Sequence, residues 1–149
     1  MNRILVGLDD SPRAEGVLRA ATDLARATGA RLVLVHVVGV QQAIPVDAYS
    51  MAPVDLAEML QQEARKYLDA VAARMPAGLV EQSVVHVGTP WQGICGEADG
   101  HHADMIVIGS HGYSGLDRVL GTTAAKVVNH AKQSVLVVRG HPEMAPAAA

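Results

Sequence analysis

The stretch VIGSHGYSGLDRVLGTT, from Val107 to Thr123, holds four glycines in a chain of 149 residues. An apolar run typical of a β-strand precedes the glycines, and an amphipathic pattern typical of a helix follows them. Glycine weakens regular structure, so such a cluster favours a loop with a special backbone path. A flexible linker would not join a buried strand to an amphipathic helix. The stretch therefore predicts one strand–loop–helix unit of an α/β protein.

Five runs rich in Val, Ile and Leu are spread along the chain, and each is nearly continuous rather than alternating. Continuous runs are typical of strands that are covered on both faces, as in a parallel sheet. The predicted strands are Arg3–Leu8, Arg31–Val38, Glu81–Val87, Asp104–Ile108 and Ser134–Arg139.

Helical patterns fill the intervals between these strands. We predict that the first helix begins at the N-cap Ser11 and ends at Gly29. The third opens with a capping box of Thr89 and Gln92, and the fourth follows Gly121. The apolar positions expected to face the sheet include Leu56, Leu60, Tyr67, Leu68 and Val71 in the second helix, Trp91, Ile94, Cys95 and Ala98 in the third, and Ala124, Val127, Val128 and Ala131 in the fourth.

This alternation predicts an α/β fold, an open five-stranded parallel sheet with helices on both faces and right-handed crossovers. Two strand orders are common for such a sheet, the flavodoxin-like order 2-1-3-4-5 and the Rossmann-like order 3-2-1-4-5. We predict the second. We expect one domain over residues 1–140 and a disordered tail over residues 141–149.

The glycine cluster lies where an anion would bind. In open α/β sheets, ligands bind beyond the carboxyl ends of the strands, where the strand order reverses. The cluster begins at Gly109, as strand 4 ends, and finishes at Gly121 and Thr122, as helix 4 begins. Bare N–H groups and a helix N-terminus together favour phosphate. Asp9, at the end of strand 1, is placed to bind ribose hydroxyls or a metal ion; the alternative is a charge partner for helix 1.

Two well-known phosphate motifs do not fit. A Walker A loop needs Lys before its final Ser or Thr, and Gly121 directly precedes Thr122. The dinucleotide fingerprint should follow strand 1, where GLDDSPRAEG has the wrong glycine spacing. The sequence therefore excludes a P-loop ATPase and a nicotinamide dehydrogenase.

The chain resembles the universal stress proteins over nearly its whole length. The resemblance rests on ILVGLDDSPRAE, LVLVHVV, HVGTP and ADMIVIGSHGYSGLDRVLGTTAAKVVNHAKQSVLVVR. The family's ATP-binding motif is Gly, two residues, Gly, nine residues, then Gly followed by Ser or Thr. Gly109, Gly112, Gly121 and Thr122 match this motif, with eight residues in place of nine between the second and third glycines.

The resemblance implies a nucleotide site. Asp9 would contact the ribose or a metal ion, Mg²⁺, and Val37 would offer its backbone to the adenine edge. Gly109 would lie against the ribose or α-phosphate. The phosphates would bind residues at the start of helix 4 and in the loop before it, namely Gly112, Gly121, Thr122 and Thr123. The implied ligand is ATP, with AMP or ADP as alternatives. Family members are typically cytoplasmic homodimers linked to stress survival, and some hydrolyse ATP slowly or not at all.

Composition excludes other classes of function. The net charge is −3, and the chain has no Phe, one Trp and three Tyr, so neither a basic face nor aromatic platforms for nucleic acid are expected. Its apolar runs are too short to span a membrane. One cysteine and no signal-peptide pattern favour a reducing cytoplasm.

The histidines and the cysteine do not form a catalytic or metal-binding pattern. We interpret His36 and His86 as structural, and the adjacent His101 and His102 as a solvated helix end. His111, in the glycine loop, is predicted equally well as a phosphate contact or as an exposed side chain. Cys95 lies in an apolar stripe and is interpreted as a core residue.

Three functions remain. The first, which we favour, is a regulatory protein that senses ATP. The second is a slow ATPase, for which the loop lacks a positioned Lys or base. The third is a protein that binds no nucleotide and acts through its dimer surface. The apolar final strand, from Ser134 to Arg139, predicts a homodimer, because a bare sheet edge of this kind needs a cover.

Overall fold

The sheet consists of five parallel strands in the order β3-β2-β1-β4-β5, so the Rossmann-like order is confirmed. The structure, a computed structural model, describes residues 1–39, 53–110 and 120–140. Its elements are β1 (Arg3–Leu8), α1 (Ala14–Thr28), β2 (Arg31–Val38), α2 (Pro53–Ala73), β3 (Val80–Val87), α3 (Pro90–Gly100), β4 (Met105–Gly109), α4 (Thr122–His130) and β5 (Ser134–Val138).

Strand β1 lies at the centre of the sheet, and its residues alternate between two hydrophobic cores. Ile4 and Val6 join the core that includes residues of α1 and α2, whereas Leu5 joins the core that includes residues of α3 and α4. All three are fully buried. Because both faces are covered, each strand needs apolar residues at successive positions, which explains the continuous runs in the sequence.

The order of the strands places the carboxyl ends of β1 and β4 side by side. Ile4 pairs with Met105 and Val6 with Val107, while on its other edge β1 pairs with β2 as far as Leu8 and His36. The chain leaves β1 and β4 at this same edge of the sheet. The residues that follow the two strands therefore meet at the point where the strand order reverses.

The predicted N-cap residue of one helix and the predicted capping box of another are wrong. Helix α1 begins at Ala14 with Arg13 as its N-cap, and Ser11 instead bonds to the carboxylate of Asp9. That local hydrogen bond draws Ser11 into the turn before the helix. Thr89 is the N-cap of α3, but within the described residues its side chain makes no capping hydrogen bond, so the predicted capping box with Gln92 is absent.

Two apolar residues near the β5 edge are more exposed than the sequence predicts. Val128 on α4 is 44% exposed, and Leu136 on β5 is 38% exposed. Val135 and Val137, on the other face of β5, pack against the core under α3 and α4. Strand β5 is the last strand of the sheet within the described residues, so no further strand shields this edge from solvent.

The remaining differences are small. Strand β3 begins one residue before its predicted start, β4 is shifted by one residue, and β5 ends at Val138 rather than Arg139. Within residues 1–39, 53–110 and 120–140, no helix is both long and apolar enough to cross a bilayer. The predicted tail over residues 141–149 lies outside the described residues.

Candidate functional site

A cavity of about 720 Å³ opens at the carboxyl edge of the sheet, over the ends of β1 and β4. Six of the seven predicted site residues line this cavity, although they come from four separate parts of the chain. These residues are Asp9, Val37, Gly109, Gly121, Thr122 and Thr123. The seventh, Gly112, lies outside the described residues, as does His111.

The N-terminus of α4 forms one wall of the cavity. Its N-cap is Gly121, which has no side chain to bond to the first turn, and Thr122 and Thr123 follow it along the cavity wall. The first N–H groups of an α-helix have no partner within the helix, and the helix dipole adds partial positive charge there. This wall is therefore suited to an anion.

Two backbone hydrogen bonds fix the position of this wall. The N–H of Gly121 donates to the carbonyl of Ser110 at 2.8 Å, and the N–H of Ser110 donates to the carbonyl of Val138 at 2.9 Å. Ser110 is buried, at 3% exposure, so these bonds are shielded from water. The two ends of the glycine-rich segment are thus fastened to each other and to the end of β5.

The turn after β1 forms a second wall, which the acidic residues Asp9 and Asp10 both line. The Oδ1 atom of Asp9 accepts hydrogen bonds from the backbone N–H of Ser11 at 3.0 Å and from its hydroxyl at 2.5 Å. Arg13 also lines this side of the cavity. The cavity therefore offers a carboxylate and a helix N-terminus to a single ligand.

Helix α2 and strand β2 hold the backbone at the end of β1. The hydroxyl of Tyr67 donates to the carbonyl of Asp9 at 2.5 Å. Nδ1 of His36 lies 2.8 Å from the carbonyl of Leu8, and because a carbonyl only accepts, this nitrogen carries the proton. The rings of His36 and Tyr67 meet edge to face, with their centroids 5.4 Å apart. His36 also lines the cavity, and these contacts agree with its interpretation as a structural residue.

Sequence reasoning missed the role of Tyr67 in the site. Its spacing with Leu68 and Val71 predicts a position on the apolar stripe of a helix, and its ring does pack against the core. Burial, with the charges of Asp9 and Asp10, raises the pKa of its hydroxyl to about 12. The hydroxyl therefore remains a donor at any physiological pH. No local sequence signal links it to a residue 58 positions away.

The third wall of the cavity is apolar, with contributions from Val35, Val37, Pro90 and Ile94. Helix α3, which carries Pro90 and Ile94, can pack this closely against β2 and β3 because Gly93 has no side chain. A Cβ there would lie 2.9 Å from Cγ2 of Val37 and 2.8 Å from Cδ2 of His86. A flat apolar ligand group fits a wall of this kind.

The other titratable residues of interest lie outside the cavity lining. Glu97 bridges two histidines, with Oε1 at 2.9 Å from Nδ1 of His86 and Oε2 at 3.3 Å from Nε2 of His101. His101 is only partly exposed, so it is less solvated than the sequence predicts.

Burial raises the pKa of the Cys95 thiol, and the charge of Asp99 raises it further. A raised pKa agrees with the interpretation of Cys95 as an unreactive core residue. Among the described residues, no group of three His, Cys, Asp or Glu side chains is arranged to hold a metal ion.

The chain matches a known family along nearly all of its length. The sequence profile of the Universal stress protein family matches residues 1–139. The chain belongs to this family. The resemblance that the sequence motifs indicate is therefore confirmed.

Universal stress proteins from several bacteria are similar to this one. Universal stress protein A homolog 2 of Coxiella burnetii is 33% identical over 138 residues, which are 92% of this chain and 94% of the relative. The solved universal stress protein UspA from Lactobacillus plantarum is 30% identical, with a TM-score of 0.73 over 93% of this chain and 97% of its own. A universal stress protein solved in complex with cAMP is 27% identical, with a TM-score of 0.57 over 92% and 96% of the two chains.

Proposed function

We propose that this universal stress protein is a stress-response regulator that binds ATP in the cavity over β1 and β4. The observation that carries the proposal is the pairing of two features in one cavity. The N-terminus of α4, capped by Gly121, faces the same space as the carboxylate of Asp9. A nucleotide has a phosphate chain for the first feature and ribose hydroxyls for the second. The similar universal stress protein in complex with cAMP supports an adenine nucleotide.

Each part of the nucleotide has a proposed partner. The phosphates would bind Gly121, Thr122 and Thr123, together with Gly112, which lies outside the described residues, and Gly109 would lie against the ribose or α-phosphate. The ribose would bind Asp9. The adenine would lie on the apolar wall with its edge at the backbone of Val37. AMP and ADP share the ribose and adenine and are alternative ligands.

Mg²⁺ fits this site as a companion of the phosphates. It is usually bound by one or two carboxylates plus phosphate oxygens and waters. Asp9 offers such a carboxylate, although its Oδ1 already accepts two hydrogen bonds from Ser11. Mg²⁺ would neutralise phosphate charge, and binding an oxygen of Asp9 is the alternative to the contact of Asp9 with the ribose.

We further propose that ATP is sensed rather than turned over. The stretch from Gly109 to Thr123 contains no Lys that could stabilise charge on a transferring phosphoryl group. Incubation with ATP should therefore release almost no phosphate over hours. Steady release above that of a matched blank would favour the slow ATPase.

Calorimetric titration with ATP, ADP, AMP and cAMP tests nucleotide binding, and mass spectrometry of ligand released from the purified protein complements it. Gly121→Val should abolish ATP binding, because its Cβ would lie against the phosphates. The φ of Gly121 is −61°, which any residue adopts, so the variant should fold. Gly16→Val is the matched control, since a Cβ there meets no atom within 4 Å. Unchanged binding by a folded Gly121→Val protein would contradict the proposed phosphate site.

We propose a cytoplasmic homodimer that pairs through β5, over the predicted range Ser134 to Arg139. Strand β5 is at the edge of the sheet within the described residues, and Leu136 is exposed on it. An antiparallel copy across a two-fold axis would satisfy the open N–H and C=O groups of this edge. The net charge of −3 gives no support to a nucleic-acid partner.

A further inference from the structure

The carboxylate of Asp9 is held from its own turn. Its Oδ1 atom accepts both the N–H and the hydroxyl of Ser11, at 3.0 Å and 2.5 Å. Ser11 itself is 5% exposed, and its hydroxyl oxygen also accepts the N–H of Arg13 at 3.3 Å. The side chain of Ser11 is therefore fixed on both sides, and it sets the rotation of the Asp9 carboxylate. Within the described residues, Oδ2 is the oxygen of Asp9 left for a ligand.

The backbone of Asp9 is held from a different element. Tyr67 reaches from α2 across the end of β1 and donates its hydroxyl proton to the carbonyl of Asp9 at 2.5 Å. This bond fixes the peptide plane that follows Asp9, and hence the direction in which the turn leaves the strand. A side chain attached to a fixed peptide and anchored at Oδ1 has little freedom left.

His36 holds the Tyr67 ring in place. It is paired with Leu8 in the register of β1 and β2, and its Nδ1 proton bonds to the carbonyl of Leu8 at 2.8 Å. The Tyr67 ring meets the imidazole edge to face, with an interplanar angle of 69°. The carbonyls of two successive residues, Leu8 and Asp9, are thus both bound by side chains that lie far away in the sequence.

We propose that Ser11 and Tyr67 are positioning residues that aim the carboxylate of Asp9 at the ribose hydroxyls of the bound nucleotide, with His36 supporting Tyr67. This inference rests on the proposed nucleotide site. It assigns the ligand contact to Asp9 alone, whereas Ser11 and Tyr67 act through Asp9. Removal of either hydroxyl should therefore weaken recognition of the ribose, and the rest of the nucleotide should bind as before.

A double-mutant cycle tests this inference. Affinities for ATP are measured by calorimetry for the parent, Tyr67→Phe, Asp9→Ala and the double variant. Tyr67→Phe keeps the ring and removes one hydrogen bond, so it should weaken ATP binding roughly three- to tenfold. In the Asp9→Ala background the same change should alter affinity less than about twofold, because Tyr67 would have no carboxylate left to aim.

A second measurement separates positioning from a general structural effect. The parent should bind ATP more tightly than 2′,3′-dideoxy-ATP, which lacks the ribose hydroxyls. Tyr67→Phe should reduce this preference, and its affinity for the dideoxy analogue should stay within about twofold of the parent. Thr22→Val is the matched control, because it removes a hydroxyl that donates to a carbonyl, that of Leu18 at 2.7 Å, on α1 away from the cavity. Thr22→Val should leave both affinities unchanged.

Ser11→Ala should give the same result as Tyr67→Phe. It is the variant to measure if Tyr67→Phe does not fold.

Each outcome decides the inference. Equal losses of ATP affinity from Tyr67→Phe in the two backgrounds, or an unchanged preference for ATP over the dideoxy analogue, would overturn it. If the parent binds ATP but Asp9→Ala binds equally well, the positioning role fails while the proposed nucleotide site stands. If the parent binds no nucleotide, the proposed function fails, and this inference fails with it.

Discussion

The same substitution, Gly to Ala, should have opposite effects at two positions of helix α3. At Gly93 the new Cβ would lie 2.8 Å from Cδ2 of His86 and 2.9 Å from Cγ2 of Val37. Neither neighbour gives way easily, because His86 is bonded to Glu97 at 2.9 Å and Val37 belongs to a strand inside the sheet. Overpacking of this kind lowers the free energy of unfolding by about 1–3 kcal/mol. For a chain of this size the melting temperature should fall by roughly 2–4 °C per kcal/mol.

Gly96 supplies the control, three residues further along the same helix. It is exposed, and a Cβ there meets no atom within 4 Å. Gly96→Ala should therefore raise the free energy of unfolding by roughly 0.5–1 kcal/mol, since Ala has the better helix propensity. Urea denaturation followed by circular dichroism should separate the two variants by about 1–3 kcal/mol, the overpacking cost, because the gain in helix propensity is common to both. Equal stabilisation by both would refute the close approach of α3 to Val37, and with it the shape of the apolar wall of the cavity.

Three other predictions follow from the site and the sheet. Asp9→Ala should weaken ATP binding by roughly 1.5–3 kcal/mol, the free energy of one charged hydrogen bond, and an unchanged calorimetric affinity would leave Asp9 with a structural role only. Val137→Pro should reduce dimer formation in light scattering, because it removes an edge donor, and a parent that is monomeric at micromolar concentration would contradict the β5 dimer. Asp104 accepts the backbone N–H groups of Arg3 and Asn2, which holds the pKa of its carboxyl below the usual range. The ionised Asp104 carboxylate stabilises the fold above the usual pKa of an aspartate, and this stabilisation is lost as the pH falls through the lowered pKa. Asp104→Asn should therefore lower the melting temperature at neutral pH but not in strong acid.

The sheet was predictable because its signal is local. Each strand is a run of β-branched and aliphatic residues, and alternation with helices restricts the order to two choices. The predicted site residues at Gly109, Gly121 and Asp9 follow from the same logic, since residues that end neighbouring parallel strands meet at one edge. The family resemblance added Val37, which no local pattern marks as a ligand contact.

The parts of the site that escaped prediction depend on contacts between distant residues or on competition between two local ones. Tyr67 has the spacing of a core residue, and only the packing of α2 over β1 brings its hydroxyl to Asp9. Ser11 has the sequence signature of an N-cap, but Asp9, two residues earlier, bonds to its N–H and hydroxyl first. Ser11 can either cap a helix or bond to Asp9, and both choices use local hydrogen bonds of the same kind. Sequence patterns do not rank such alternatives.

The bonds that join Gly121 to Ser110, and Ser110 to Val138, have a consequence for how this protein can change over evolution. A chain segment whose two ends are fastened together can gain or lose residues at little thermodynamic expense, because the entropy of closing a loop depends only on the logarithm of its length. Eight residues in place of nine change that term by about 0.1 kcal/mol. Insertion or deletion in this segment therefore costs the fold little stability, while the anchored ends keep the same spacing. The proposed phosphate contact of Gly112, rather than loop entropy, would then limit which changes in residues 111–119 a nucleotide-binding protein tolerates.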